Sequence, residues 1–237
     1  MKIKYDFHTH SCLSPCGDND MTPSNLVNMS MLCGVEVLAL TDHNTCLNCA
    51  AAMKVATAAN MLFIPGMELT TSEEIHVVCL FPQLESAESF GEFVYKKLPD
   101  IKNRPEIFGD QLILNENDQL VGTIDKLLIN ATSIDIYSVV PLVESYGGFC
   151  LPAHIDKTSY SILSNLGFFP NDCGFTAAEI SSKCDFDSLK SAHPEISDLM
   201  IFRDSDSHLL ESLDFKSENI NCREKTVFSV FEALRHA

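Results

Sequence analysis

The chain has 237 residues, 46% of them apolar, and a formal net charge of −17. That length and apolar content suffice for one large α/β domain with a substantial core. The acidic balance argues against a protein that follows a phosphate backbone along a basic groove, so a long nucleic acid is an unlikely partner on this reading. No apolar run is long enough to span a bilayer, and the N-terminus lacks the apolar stretch of a signal peptide, so no membrane partner is expected and the cytoplasm is the default location.

Short β-like runs alternate with helical patterns along the chain. "KIKYDF" is followed by a helix in "PSNLVNMSMLCG", then "VEVLALT", a helix from about Cys46 to Asn60, "MLFIPGMEL" and "IHVVCLF". From about residue 84 to 133 the rhythm breaks into a helix-like "SFGEFVYKKL", a Pro-bearing link and the polar turn "LNENDQLVG", an inserted segment that could cover one end of a barrel. The alternation then resumes with a helix near Ile134 to Tyr146, "GGFCLPAH", a helix near Ser159 to Leu166, "TAAEIS", a helix near Phe186 to Ala192, "DLMIFRDSDSH" and a helix near Val227 to Arg235. This is the βαβ rhythm of a parallel sheet or barrel within one domain spanning 1–237.

Ten cysteines without a secretion signal read as reduced thiols. The "CLNC" pair, Cys46 and Cys49, has zinc-knuckle spacing but no second CxxC pair to complete a structural site. The histidines are more informative. Of the eight, His8, His10, His43, His76, His154 and His208 fall at or just after predicted strand ends, usually beside a carboxylate; His193 and His236 lack that context and read as surface residues. In a parallel barrel the strand C-termini converge on one face, so residues distant in sequence can meet there. His8 and His10 alternate on a strand and share a side, as do Asp206 and His208. Asp18, in the loop after the first strand, and Glu68, at a strand end, add hard oxygen donors to the imidazoles.

In order, "DFHTH", "LTDHN", "GGFCLPAH" and "RDSDSH", with "GMEL" and "EEIH" between them, resemble the motifs of the PHP family, named for its polymerase and histidinol phosphatase members. The likeness spans residues 6 to 208. It implies a distorted (β/α)7 TIM-like barrel with three divalent metal ions (Zn, Mn or Fe) and hydrolysis of phosphate esters. The implied ligands are His8, His10, Asp18, His43, Glu68, His76, His154, Asp206 and His208. By that likeness Glu68 bridges two ions; His8, His10 and Asp206 hold one, His76 and His154 a second, and Asp18, His43 and His208 a third. Asp20 competes with Asp18, which is preferred because its distance from Pro23 matches similar loops. Asp6 and Asp42 precede ligand histidines and are expected to orient an imidazole or to be structural aspartates.

The expected activity is that of a metal-dependent phosphoesterase acting on a small phosphomonoester by metal-activated water, so Ser11, Cys12 and Cys16 read as lining residues rather than nucleophiles. Lys157 is the nearest cation in sequence to a ligand and the first candidate for a phosphate contact, with Arg104 and Arg203 as others. The alternatives are a phosphodiesterase or exonuclease on short oligonucleotides and a noncatalytic metal-binding module; an amidohydrolase-type site is weaker, lacking a carboxylated-lysine motif. Substrate identity, metal identity and oligomeric state do not follow from the sequence.

Overall fold

The computed structural model of the chain describes residues 1–213 and 218–235. In chain order its elements begin with β1 (Lys2–Asp6), α1 (Pro23–Leu32), β2 (Val37–Leu40), α2 (Cys49–Ala58), β3 (Leu62–Thr70) and β4 (His76–Leu80). The interrupting segment holds α3 (Leu84–Tyr95), α4 (Pro105–Phe108), β5 (Leu112–Leu114) and β6 (Leu120–Thr123). Then come α5 (Ile136–Ser145), β7 (Phe149–Pro152), α6 (Ile162–Leu166), β8 (Ala177–Glu179), α7 (Phe186–Ala192), β9 (Met200–Phe202), β10 (Asn219–Asn221) and α8 (Val227–Arg235).

Local chemistry accounts for several boundaries. The Thr22 hydroxyl accepts the Asn25 N–H and Pro23 opens α1, where its missing N–H costs nothing. Asp135 caps α5 and Ser161 caps α6 in the same way, and Gly167 ends α6 in the left-handed region at φ 80°.

The main sheet has six strands in the order β10-β1-β2-β3-β4-β7. β1, β2 and β3 are parallel neighbours. β4 departs from the all-parallel expectation. Residues 71–75 are too short a link for a crossover helix, so β4 folds back antiparallel on β3, pairing Glu68 with Val78 and Thr70 with His76. β7 is antiparallel to β4 and so recovers the direction of β3. β8 and β9 form a separate parallel pair, and a parallel bridge between Thr9 and Ser207 joins the chain after β9 to the end of β1. The result is a mixed α/β fold with a curled half-barrel sheet, where a distorted (β/α)7 barrel was expected.

Strand alternation divides the apolar residues into two cores. Leu38, Leu40, Phe63 and Val77 face the helices, whereas Val37, Ala39, Ile64 and Val78 turn to the concave side with Ile3, Tyr5, Phe7 and Phe202. Val230, Phe231 and Leu234 of α8 join that second core. Residues 84–133 lie against the loops that follow β1 and β2. Leu98 and Leu128 pack on Leu13, Leu112 N–H donates to Cys12 O, and the Asn44 amide donates to the carbonyls of Leu128 and Asn130. Among the described residues no helix is long and apolar enough to cross a membrane.

Candidate metal centre

Eight of the nine expected ligands meet around one buried carboxylate. Glu68, 1% exposed, ends up beside His8 Nε2 (3.3 Å), His10 Nε2 (3.4 Å), His43 Nδ1 (3.0 Å), His76 Nδ1 (2.8 Å) and His154 Nε2 (3.3 Å). Asp206 Oδ1 lies 3.4 Å from both His8 and His10 and 3.6 Å from His208 Nδ1. The His10 and His208 rings stack with centroids 4.2 Å apart. Five imidazoles on one carboxylate are more donors than two oxygens can satisfy, and the contacts lack hydrogen-bond geometry: both Glu68 oxygens, His43 Nδ1 and His154 Nδ1 are buried without a hydrogen-bond partner. His154 and Asp206 are held at positive φ, 31° and 50°, the kind of backbone strain that collects at functional sites.

The hydrogen-bond network behind the ring explains what the centre accommodates. His8 Nδ1 meets Glu179 Oε2 at 2.7 Å, and an ionised carboxylate can only accept, so the Nδ1 proton belongs to His8. His10 Nδ1 meets Ser14 Oγ at 3.0 Å, while that hydroxyl donates to Asp42 at 2.7 Å, so His10 likewise uses its Nδ1 proton outward. The two Nε2 lone pairs then face each other 3.1 Å apart, with Glu68 and Asp206 beside them. Such a gap holds one proton or one cation. Burial disfavours charge on His8, but Glu179, Glu68 and Asp206 outweigh it and hold that imidazole well above its ordinary range. Burial and the neighbouring His208 keep His10 well below. Despite burial, His76, His8 and His43 hold the Glu68 carboxyl well below the usual carboxylate range. A divalent ion fits the donor set: three overlapping groups, His8–His10–Glu68, His43–Glu68–His76 and His10–His43–His208, each place their candidate atoms within 4.8 Å of one another.

The remaining expected residues fall as follows. Asp42, 1% exposed, accepts from Ser11 N–H, Ser11 Oγ and Ser14 Oγ, and so reaches His10 through Ser14. Asp6 accepts the N–H groups of His8 and Ser205. Lys157 is ion-paired with Asp206 and lines, with Ser159 and Tyr160, a cavity of about 130 Å³ floored by His43, Glu68, His76 and His154. Arg104 sits over the Phe108 ring and Arg203 is tied to the carbonyls of Ser181 and Cys184, so neither is among the residues lining this cavity. His193 pairs with Glu195 away from the cluster, and His236 lies outside the described residues. Cys46 and Cys49 are buried thiols that both donate to Gly66 O. Asp18 stands apart: it is exposed and its carboxylate accepts the Asp20 N–H at 2.8 Å. Cys16, two residues before Asp18, is exposed in the same loop; desolvation raises its thiol, but the imidazoles of His208 and His43 bring it down to about 6.

Two site residues escaped the sequence reading. Glu179 closes the strand read as "TAAEIS", and the strand-end rule that picked out the histidines could have found it. Tyr160 stacks on His76 with ring centroids 4.7 Å apart while staying 48% exposed; no periodicity marks it, because it sits in a loop at φ 55°.

No family model matches the chain. A "5'-3' exoribonuclease" of Haemophilus influenzae is 39% identical over 83 residues, 34% of this chain and 29% of that protein. The exoribonuclease Rnm of Escherichia coli is 29% identical over 128 residues, 52% of this chain and 41% of that protein, so the chain matches less than half the length of these curated relatives. Among solved structures, the lesion-specific endonuclease Q of Pyrococcus furiosus matches 99% of this chain and 56% of its own at a TM-score of 0.74 and 14% identity. A Bifidobacterium adolescentis protein assigned as a metal-dependent phosphoesterase matches 87% of this chain and 88% of its own, with a TM-score of 0.59 and 18% identity. Endonuclease Q has also been solved with a 27-mer duplex carrying an abasic lesion at the active site, and over 57% of that chain it matches 99% of this one at a TM-score of 0.69 and 14% identity. These findings overturn the expectation of a small phosphorylated substrate with long nucleic acid unlikely. Net charge averages over the whole surface, whereas a cluster of cation ligands can receive a phosphate locally. The chain shares its fold with endonuclease Q and with the protein assigned as a metal-dependent phosphoesterase.

Proposed function

We propose that the chain is a metal-dependent phosphodiesterase acting on nucleic acid. The observation that carries this reading is the pair of imidazole lone pairs facing each other across 3.1 Å, flanked by Glu68 and Asp206, a gap built for positive charge. His8, His10, His43, Glu68, His76, His154, Asp206 and His208 would hold the divalent ions, which when bound supply the charge that acidifies a water and offsets charge building on phosphoryl oxygens. Lys157 presents an ammonium beside Asp206 at the cavity mouth, in reach of a nonbridging oxygen. The cavity, about 130 Å³, suits a phosphate group, leaving the rest of the substrate across the rim where Tyr160 offers an exposed ring. Base stacking on such rings is tolerant of sequence, which suits a nucleic-acid strand. The names of the curated relatives and of endonuclease Q support this reading over a monoester phosphatase.

The test is to load the protein in turn with Mn, Zn and Fe(II) and assay end-labelled RNA and DNA oligonucleotides beside p-nitrophenyl phosphate. Shortening of an oligonucleotide that stops on chelation is expected. Hydrolysis of the monoester alone would return the reading to a phosphatase, and tight metal binding without hydrolysis of anything would make the chain a noncatalytic module.

A further inference from the structure

Asparagine is among the residues best suited to accept the free N–H groups at the start of a helix. Asn48 of "CLNC" stands at the N-cap of α2, yet its side chain makes no capping hydrogen bond. It is fully buried and committed elsewhere. Its Nδ2 amide donates to Leu112 O at 3.1 Å and to Ser11 Oγ at 2.9 Å, while Oδ1 accepts Leu114 N–H at 3.0 Å. Asn48 thus holds β5 by one carbonyl and one N–H, and holds Ser11 with the same amide. From Ser11 the hydrogen bonds continue to the cluster. The Ser11 hydroxyl donates to Asp42 Oδ2 at 2.7 Å, Asp42 Oδ1 accepts Ser14 Oγ at 2.7 Å, and the Ser14 oxygen meets His10 Nδ1 at 3.0 Å and accepts His43 N–H at 3.2 Å. Each hydroxyl has one proton and gives it to Asp42, so Ser11 accepts from Asn48 and Ser14 accepts from His10. Asn48, Ser11, Asp42 and Ser14 are at most 1% exposed, so solvent does not compete for these bonds.

We propose that Asn48 is a positioning residue that ties the orientation of His10, through Ser11, Asp42 and Ser14, to the seating of β5. The inference rests on the reading of the cluster as a cation site and adds that the inserted segment tunes it. Linkage makes the effect mutual: metal on His10 steadies β5, and a displaced β5 weakens the metal. The diverted cap of α2 is the sign of this role, because the side chain gives up a bond to its own helix to make these three.

The test measures zinc(II) affinity of the full chain by competition with a chelating dye, and amide exchange of residues 110–115 by mass spectrometry with and without zinc(II). In the wild type zinc is expected to slow exchange in that stretch. Asn48→Asp keeps the acceptor for Leu114 but replaces the donor to Ser11 with an oxygen that competes with Asp42 for the Ser11 proton. Its affinity is expected to fall near the lower end of the roughly 10- to 100-fold losses that outer partners of metal ligands cost. Ser11→Ala breaks the chain without touching β5; a similar loss is expected, zinc should no longer slow exchange at 110–115, and the double variant should lose no more than either single one. Ser229→Ala is the control for lost stability alone, since that buried hydroxyl accepts the Arg223 and Glu224 N–H groups by α8, and it should lower Tm with zinc affinity near wild type. Wild-type affinity in Asn48→Asp or Ser11→Ala, additive losses in the double variant, an equal loss in Ser229→Ala, or wild-type exchange that zinc leaves unchanged overturns the coupling while the metal centre stands. If Asn48→Asp does not fold, Ser11→Ala and the wild-type exchange decide the matter. Failure of the wild type to bind zinc overturns the centre as well.

Discussion

Glu179 supports the centre without lining its cavity: it is 1% exposed and accepts the His8 Nδ1 proton at 2.7 Å, which aims the opposite nitrogen inward. Glu179→Gln keeps the shape but can present an amide N–H to His8, inverting the tautomer, and losses of about 10- to 100-fold in metal affinity are usual for such changes. Competitive titration against a chelating dye should find a loss of that size in an otherwise folded protein; an unchanged affinity would mean that packing alone orients His8. Tyr160 makes a different kind of prediction. A stacked base contributes about 1–3 kcal/mol, so Tyr160→Ala should raise KM for an oligonucleotide about tenfold and leave hydrolysis of p-nitrophenyl phosphate near wild type. An equal loss on both substrates would assign Tyr160 to holding His76, on which it stacks.

Among the elements, the β3–β4 hairpin does most to assemble the site, because it brings Glu68 and His76 together on adjacent strands. Its close approach is made at Gly66, where a Cβ would meet Cys79 O on β4 at 2.6 Å and the Thr41 side chain at 3.0 Å. Gly66→Ala therefore forces β3 away from β4 two residues before Glu68. Overpacking of this kind costs about 1–3 kcal/mol, and thermal unfolding should show a lower Tm together with weaker metal binding. A variant as stable as the wild type would indicate that the strands yield at this point. The hairpin was only half legible in the sequence. "MLFIPGMEL" and "IHVVCLF" read as strands, but a βαβ rhythm suggested parallel neighbours, and the short link at 71–75 was the sign that they had to be antiparallel.

On the scale of the molecule, proton and cation compete for one gap, and this ties stability to metal. Chelation should lower Tm, and re-adding metal should restore it; free metal at 100 times Kd contributes about 2.7 kcal/mol. Against burial, Glu179, Glu68 and Asp206 raise His8 well above its ordinary range, so a metal on its Nε2 competes with a proton there. The gain in Tm from metal should accordingly shrink as pH falls, and a gain independent of pH would place the ion elsewhere. The charge of −17 shapes substrate binding as well. With Lys157 the one lysine or arginine among the residues lining the cavity, few counterions are released from a nucleic-acid strand. The plot of log affinity against log salt should have a slope of about −1 to −2, where roughly 6–10 phosphate contacts would make it far steeper. A steep slope would point to a basic surface beyond the cavity.

What the sequence determined by itself was the alternation of elements and most of the side chains that meet at the cluster. Strand and helix periods are local, and histidines at strand ends need only the convergence of a barrel face to become a cluster; His8, His43, Glu68 and His154 could be picked out on that basis. The tertiary structure decided what depends on where side chains point. It placed Glu179 behind His8, set Tyr160 on His76, and left Asp18 exposed with its carboxylate on the Asp20 N–H. In a loop no repeating period relates residue number to direction, so only the folded loop, seated at Gly17 on the backbone of Ser11, shows that Asp18 lies at the surface.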